Sequence, residues 1–158
     1  MIIRHAKTAL PRVWKTHSAG GDILAETDIL VRGYGTMRAK LLVFPSATKL
    51  VKFWDKALGR KLGRKCAGCV SAMATEDPEG VISVDPRYFC VIGLSKNNLS
   101  MEVITHESVH AGFAYSKRHR KDFWVKQGPD FDEEDVAYPA GRIAKRINAF
   151  LYDKGLYT

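Results

Sequence analysis

Apolar residues recur along this chain with two different periods, and the changes of period mark its elements. Ala39 to Phe44 is a short, mostly apolar run of the kind a buried strand shows. Pro45 and Ser46 close it, and Ser46 is a suitable helix N-cap. Leu50, Val51, Phe53, Trp54, Ala57 and Leu58 follow at helical spacing, which predicts an amphipathic helix over Ala47 to Leu58. Val70 to Ala74, Val81 to Val84 and Tyr88 to Leu94 read as strand segments. Asp77-Pro78-Glu79-Gly80 forms a turn between the first two, and Asp85-Pro86 breaks the others.

After a Lys96-Asn97-Asn98 turn, Asn98 or Ser100 can cap a helix from about Met101 to Tyr115, which the basic stretch Lys117 to Lys121 ends. Gly128-Pro129-Asp130 is a loop. The acidic residues Asp132 to Asp135 suit the start of a last helix running to about Asp153. Val136, Ile143, Ile147, Phe150 and Leu151 form its apolar stripe. Pro139 is tolerated in a first turn but kinks an interior, so it leaves the start of that helix open. In residues 1–35, whose role the pattern does not reveal, Gly20-Gly21 and Gly33-Tyr34-Gly35 mark turns. Ile23, Leu24, Ile29, Leu30 and Val31 there fit a helix or a strand. Strands and helices together predict an α+β fold, and 158 residues suit a single domain with one core.

Composition narrows the class. A hydrophobic content of 46% and a charged content of 27% are those of a globular chain, not a disordered one. No apolar run is long enough to cross a bilayer, and Met1 to Leu10 lacks the apolar core of a secretory signal, so a cytoplasmic location without membrane contact is the expectation. Three cysteines, an odd count, argue against a disulfide framework. Cys66-Ala67-Gly68-Cys69 is a single CxxC with no second ligand pair nearby, which reads as two reduced thiols at a strand start. The net charge of +8 makes nucleic acid a candidate partner, through Lys49 to Lys65 and Lys117 to Lys121. A solvated helix face followed by a basic loop accounts for the same residues.

Chemistry concentrates in Thr105-His106-Glu107-Ser108-Val109-His110. Residues four apart on a helix share a face, so His106 and His110 can hold one zinc ion. Glu107 lies at the edge of that face, where a carboxylate can take a proton from a zinc-bound water. A catalytic zinc needs a third protein ligand. A histidine at the metzincin spacing would fall on Ser116, so that pattern fails. His119, nine residues past His110, would lie about 900° on along a continuous helix, on the opposite side. His119 could serve only if the chain turns first; Glu133 and Glu134, on the last helix, are the other candidates. The apolar stripe favours Glu133.

His-Glu-Ser-Val-His followed by Glu134-x-x-Ala137-Tyr138 resembles the small gluzincin-type metallopeptidases, including short phage- and plasmid-encoded ones. The likeness covers roughly residues 80–155. It implies zinc ligands His106, His110 and Glu134, with Glu107 as general base. It also implies a minimal zincin-like domain, in which a small mixed sheet packs on the HExxH helix and a glutamate-bearing C-terminal helix. Tyr88 to Leu94 would be the edge strand beside the HExxH helix, open to an extended peptide. Tyr138 or Tyr115 could donate a hydrogen bond to an oxyanion. The expected function is hydrolysis of a protein or peptide. The alternative is a basic nucleic-acid-associated protein, or a non-catalytic zinc-stabilised interaction protein of a mobile element.

Overall fold

The computed structural model describes residues 3–5, 22–32, 36–58, 61, 66–72, 74–76, 82–84, 87–119 and 133–157. The turns expected at Gly20-Gly21, Gly33–Gly35, Asp77–Gly80 and Asp85-Pro86, the loop at Gly128–Asp130, and residues 59–60, 62–65 and 120–121 of the two basic stretches lie outside them.

Four strands form the central sheet: β2 (Ala25–Arg32), β3 (Thr36–Phe44), β4 (Gly68–Ala72) and β7 (Tyr88–Ser95). Their order is β2-β3-β7-β4, with β3 and β7 parallel and the outer pairings antiparallel. β1 (Ile3–His5), β5 (Ala74–Glu76) and β6 (Ile82–Val84) make a second, three-stranded sheet in the order β1-β6-β5. The helices are α1 (Ala47–Leu58), α2 (Met101–His119) and α3 (Glu134–Asp153).

Strand alternation sends successive side chains to opposite faces, and both faces of the central sheet are covered. Leu41 and Val43 of β3 and Ile92 and Leu94 of β7 join Ile104, Ala111 and Tyr115 of α2 and Ile143, Ile147 and Leu151 of α3 in one cluster. Leu42, Phe44 and Val91 turn the other way and pack on Leu50 and Trp54 of α1. A Cβ on Gly93 would lie 2.6 Å from the Trp54 ring, so the bare backbone of β7 is what lets that indole approach the sheet so closely.

This double cover corrects one expectation. Tyr88–Ser95 is not the edge strand beside α2. It lies between β3 and β4, and all but its first residue are buried. A nearly continuous apolar run is the mark of a strand covered on both faces, and that is what its sequence carries. The edge beside α2 is β4.

Local chemistry sets the helix starts. The Ser46 hydroxyl accepts from the Lys49 N–H at 3.4 Å, and the Ser100 hydroxyl accepts from the Val103 N–H at 3.2 Å. α2 continues to His119, one turn past the expected end. Pro139 lies inside α3, as its sixth residue. Proline has no N–H to give the carbonyl four residues back, which is that of Asp135. The buried Ser116 hydroxyl of α2 is directed at this carbonyl and at that of Gly112, 3.0 Å away. The neighbouring helix thus supplies the donor that proline removes. The helices approach closely there, because a Cβ on Gly112 would lie 2.8 Å from the Val136 carbonyl and 3.0 Å from the Ala140 Cβ. At its other end α3 closes with a Schellman motif. Leu156 donates to the Leu151 carbonyl and Gly155 to the Tyr152 carbonyl, both at 2.9 Å, with Gly155 at φ 61°.

Candidate metal centre

α2 is covered on most of its circumference. Ile104, Ala111 and Tyr115 point into the core, Gly112 and Ser116 meet α3, and Glu107 faces β4. What remains for solvent is one side carrying Glu102, Thr105, His106, Val109, His110 and Phe113, with Met101 at its start.

On that side the Nε2 atoms of His106 and His110 stand 3.1 Å apart, with ring centroids at 4.7 Å and planes at 78°. Two neutral imidazoles facing each other this way share one proton, or turn both lone pairs to one cation. Tetrahedral geometry with bonds of about 2.0–2.1 Å puts two nitrogen ligands about 3.3 Å apart. The observed separation therefore fits a pair closing on one zinc ion.

Glu107 is buried, with 6% of its surface exposed. Its side chain lies against the backbone of β4 at Gly68. A Cβ there would be 2.5 Å from Glu107 Cγ and 2.8 Å from Cδ and Oε1. Burial raises the Glu107 carboxyl above the usual carboxylate range, and His106 opposes the shift. The Cys69 thiol next to Gly68 is pushed up to about 12, chiefly by burial and then by Cys66 and Glu107. Such a thiol is not a ready nucleophile. Cys66 and Cys69 pack with the α1 cluster, on the face of the sheet away from Glu107.

The other sequence candidates fall in different places. Glu133 and Glu134 are exposed at the start of α3. α3 meets α2 at Gly112 and Ser116, which lie about 160° and about 120° around the helix from His110 at 100° per residue. Among the described residues, no third His, Cys, Asp or Glu joins His106 and His110 in a group able to hold a metal. The side chain of His119 lies outside what is described. Tyr138 is 66% exposed on α3. Tyr115 is buried edge-on to Phe89, with centroids 5.4 Å apart, and so belongs to the core. Gly68 is the site residue that sequence reasoning missed. The sequence pattern began that strand at Val70 and left Gly68 in the CxxC before it, whereas the strand starts at Gly68 itself.

The fold and site together define an α+β protein with a four-stranded mixed sheet and a paired-histidine helix laid against its edge strand. No protein-family model matches the chain, and no curated protein or solved structure matches it.

Proposed function

We propose that this chain is a zinc-dependent metallopeptidase in which His106 and His110 hold the metal and Glu107 is the general base. The observation that carries the reading is the pair of Nε2 atoms 3.1 Å apart on the exposed arc of α2, one residue from a carboxylate set under the edge strand. Bound zinc supplies Lewis acidity and a water of lowered pKa. Glu107 takes a proton at its carboxylate and returns it to the leaving amine. The resemblance to gluzincins alone assigns Glu134 as third ligand and Tyr138 as hydrogen-bond donor. The expected substrate is a protein or peptide, laid in extended form along the edge of the sheet at β4.

The test is metal analysis of the purified chain combined with cleavage of a mixed peptide library. Wild type carries one zinc, His106→Ala and His110→Ala lose it, and Glu107→Gln keeps zinc but cleaves nothing. A chain that binds no zinc at equimolar metal overturns the proposal. So does undiminished cleavage by Glu107→Gln. Unchanged zinc affinity in Glu134→Gln removes that residue from the ligand set and leaves the histidine pair in place.

A further inference from the structure

The solvent face of α3 carries a pattern of which the hydrolase reading uses only Tyr138. Tyr138, Arg142, Lys145, Ala149 and Tyr152 recur at alternating four- and three-residue steps, so at 100° per residue they fall within about 80° of the helix circumference. All five are exposed, Tyr138 by 66% and Tyr152 by 80%. Arg146 flanks the line. Arg142 donates to the Arg32 carbonyl at the end of β2, which brings the exposed Arg32 to the same region. Among the described residues Lys145 and Arg146 form no ion pair. The acidic residues on this side, Glu134 and Asp153, lie at the two ends of α3. Between the tyrosines the surface is low, since a Cβ on Gly141 would meet nothing within 4 Å.

Two large exposed rings with cations between them are unusual on a solvated helix, which gains nothing by keeping tyrosines in water. We infer that this face of α3 binds single-stranded nucleic acid, with Tyr138 and Tyr152 stacking on bases and Arg142, Lys145 and Arg146 meeting the phosphates between them. Charge complementarity names the anion, and the rings name the kind. Base faces are open to stacking on a single strand and closed in a duplex. Tyr138 and Tyr152 are about 21 Å apart along the axis at 1.5 Å per residue. That spans about six nucleotides of a stacked strand at about 3.4 Å each. The inference is independent of zinc and of the His106–His110 site.

The test is fluorescence anisotropy of the full chain with a labelled mixed-sequence 20-mer, as single-stranded DNA, single-stranded RNA and duplex DNA, over a salt series. Single strands bind more tightly than duplex. Tyr138→Ala and Tyr152→Ala each weaken binding roughly 5- to 150-fold, the range of one lost base stack. Tyr138→Phe and Tyr152→Phe retain it, because a phenyl ring still stacks. Lys145→Gln with Arg146→Gln lowers the salt slope by about 1.4, at ~0.7 per phosphate. Binding of DNA alone or RNA alone supports the inference and names the strand. Absent binding overturns it, as do duplex preference and indifference to both tyrosine-to-alanine changes. Displacement of the oligonucleotide by polyglutamate with the tyrosines irrelevant also overturns it, in favour of an acidic protein partner.

Discussion

Gly68→Ala tests the seating of Glu107 without any knowledge of substrate. The backbone at Gly68 is not in the left-handed region, so alanine fits its conformation and should gain roughly 0.5–1 kcal/mol over glycine by chain entropy alone. The neighbour decides the sign. The new methyl would stand 2.5 Å from Glu107 Cγ, so either the carboxyl swings out or β4 shifts off α2. Overpacking of this kind costs about 1–3 kcal/mol. Removing the obstacle should reverse the effect. In a Glu107→Ala background, Gly68→Ala is neutral or stabilises by roughly 0.5 kcal/mol. The coupling between the two changes is therefore at least about 1 kcal/mol, well beyond what distant sites show. Urea unfolding of the four proteins measures it, and unchanged m values confirm that the same transition is compared. If Gly68→Ala costs the same with and without the Glu107 side chain, the carboxyl is not held by the strand and the close approach has been misread.

Three other outcomes are expected. Ser116→Ala removes the hydroxyl that meets the Asp135 carbonyl and destabilises by about 1–3 kcal/mol, but costs much less in a Pro139→Ala background, where the helix regains its own N–H. Equal cost in both backgrounds would refute the compensation. Gly155→Ala destabilises by about 1–2 kcal/mol, the penalty of a side chain in the left-handed region, measured as a lower urea midpoint. Burial holds the Cys69 thiol up to about 12 and raises Cys90 well above its ordinary range, so the unfolded chain loses these protons first. Their contribution is full below about pH 8.5 and is lost as pH rises through the folded values. Cys69→Ala and Cys90→Ala should therefore flatten the fall in urea midpoint between about pH 8 and about pH 10.5.

Where a segment's own pattern determined the structure, the sequence was readable. Ala47–Leu58 has the bounds its apolar spacing predicts, and Ser46 and Ser100 cap as their residue types allow. The HExxH stretch is helical, with both histidines on one face. What the sequence hid was non-local. The apolar run of β7 was correctly read as a strand, but its place in the sheet depended on α1 and α2 covering both faces, and the run itself pointed to an interior position. β2 escaped a clear reading because Ile29, Leu30 and Val31 are consecutive, which blurs a period of two. Pro139 looked like an obstacle until Ser116, on another helix, was seen to meet the Asp135 carbonyl. The proximity of Gly68 to Glu107 joins residues 39 apart in sequence (107 minus 68) and leaves no local trace beyond the glycine itself.

The reading of α2 as a metal-binding element rests on how little of it is left for solvent. A helix held on one side only can roll, and a ligand pair on its outer face then pays for its own alignment. Here the core fixes one side through Ile104, Ala111 and Tyr115, α3 fixes another through Gly112 and Ser116, and β4 a third through Glu107. The remaining arc, about 100° wide at 100° per residue, holds Val109, Glu102, Phe113, His106 and His110 in that order. The two imidazoles stand side by side at one end of that arc, on a rigid element whose position three independent contacts determine. Ligands set this way need little reorganisation when a cation arrives, which is the condition for a precise site. It also explains why Glu107 is inside rather than outside. A carboxylate under the edge strand is held at a fixed distance from the histidine beside it, whereas one on the arc would swing in water.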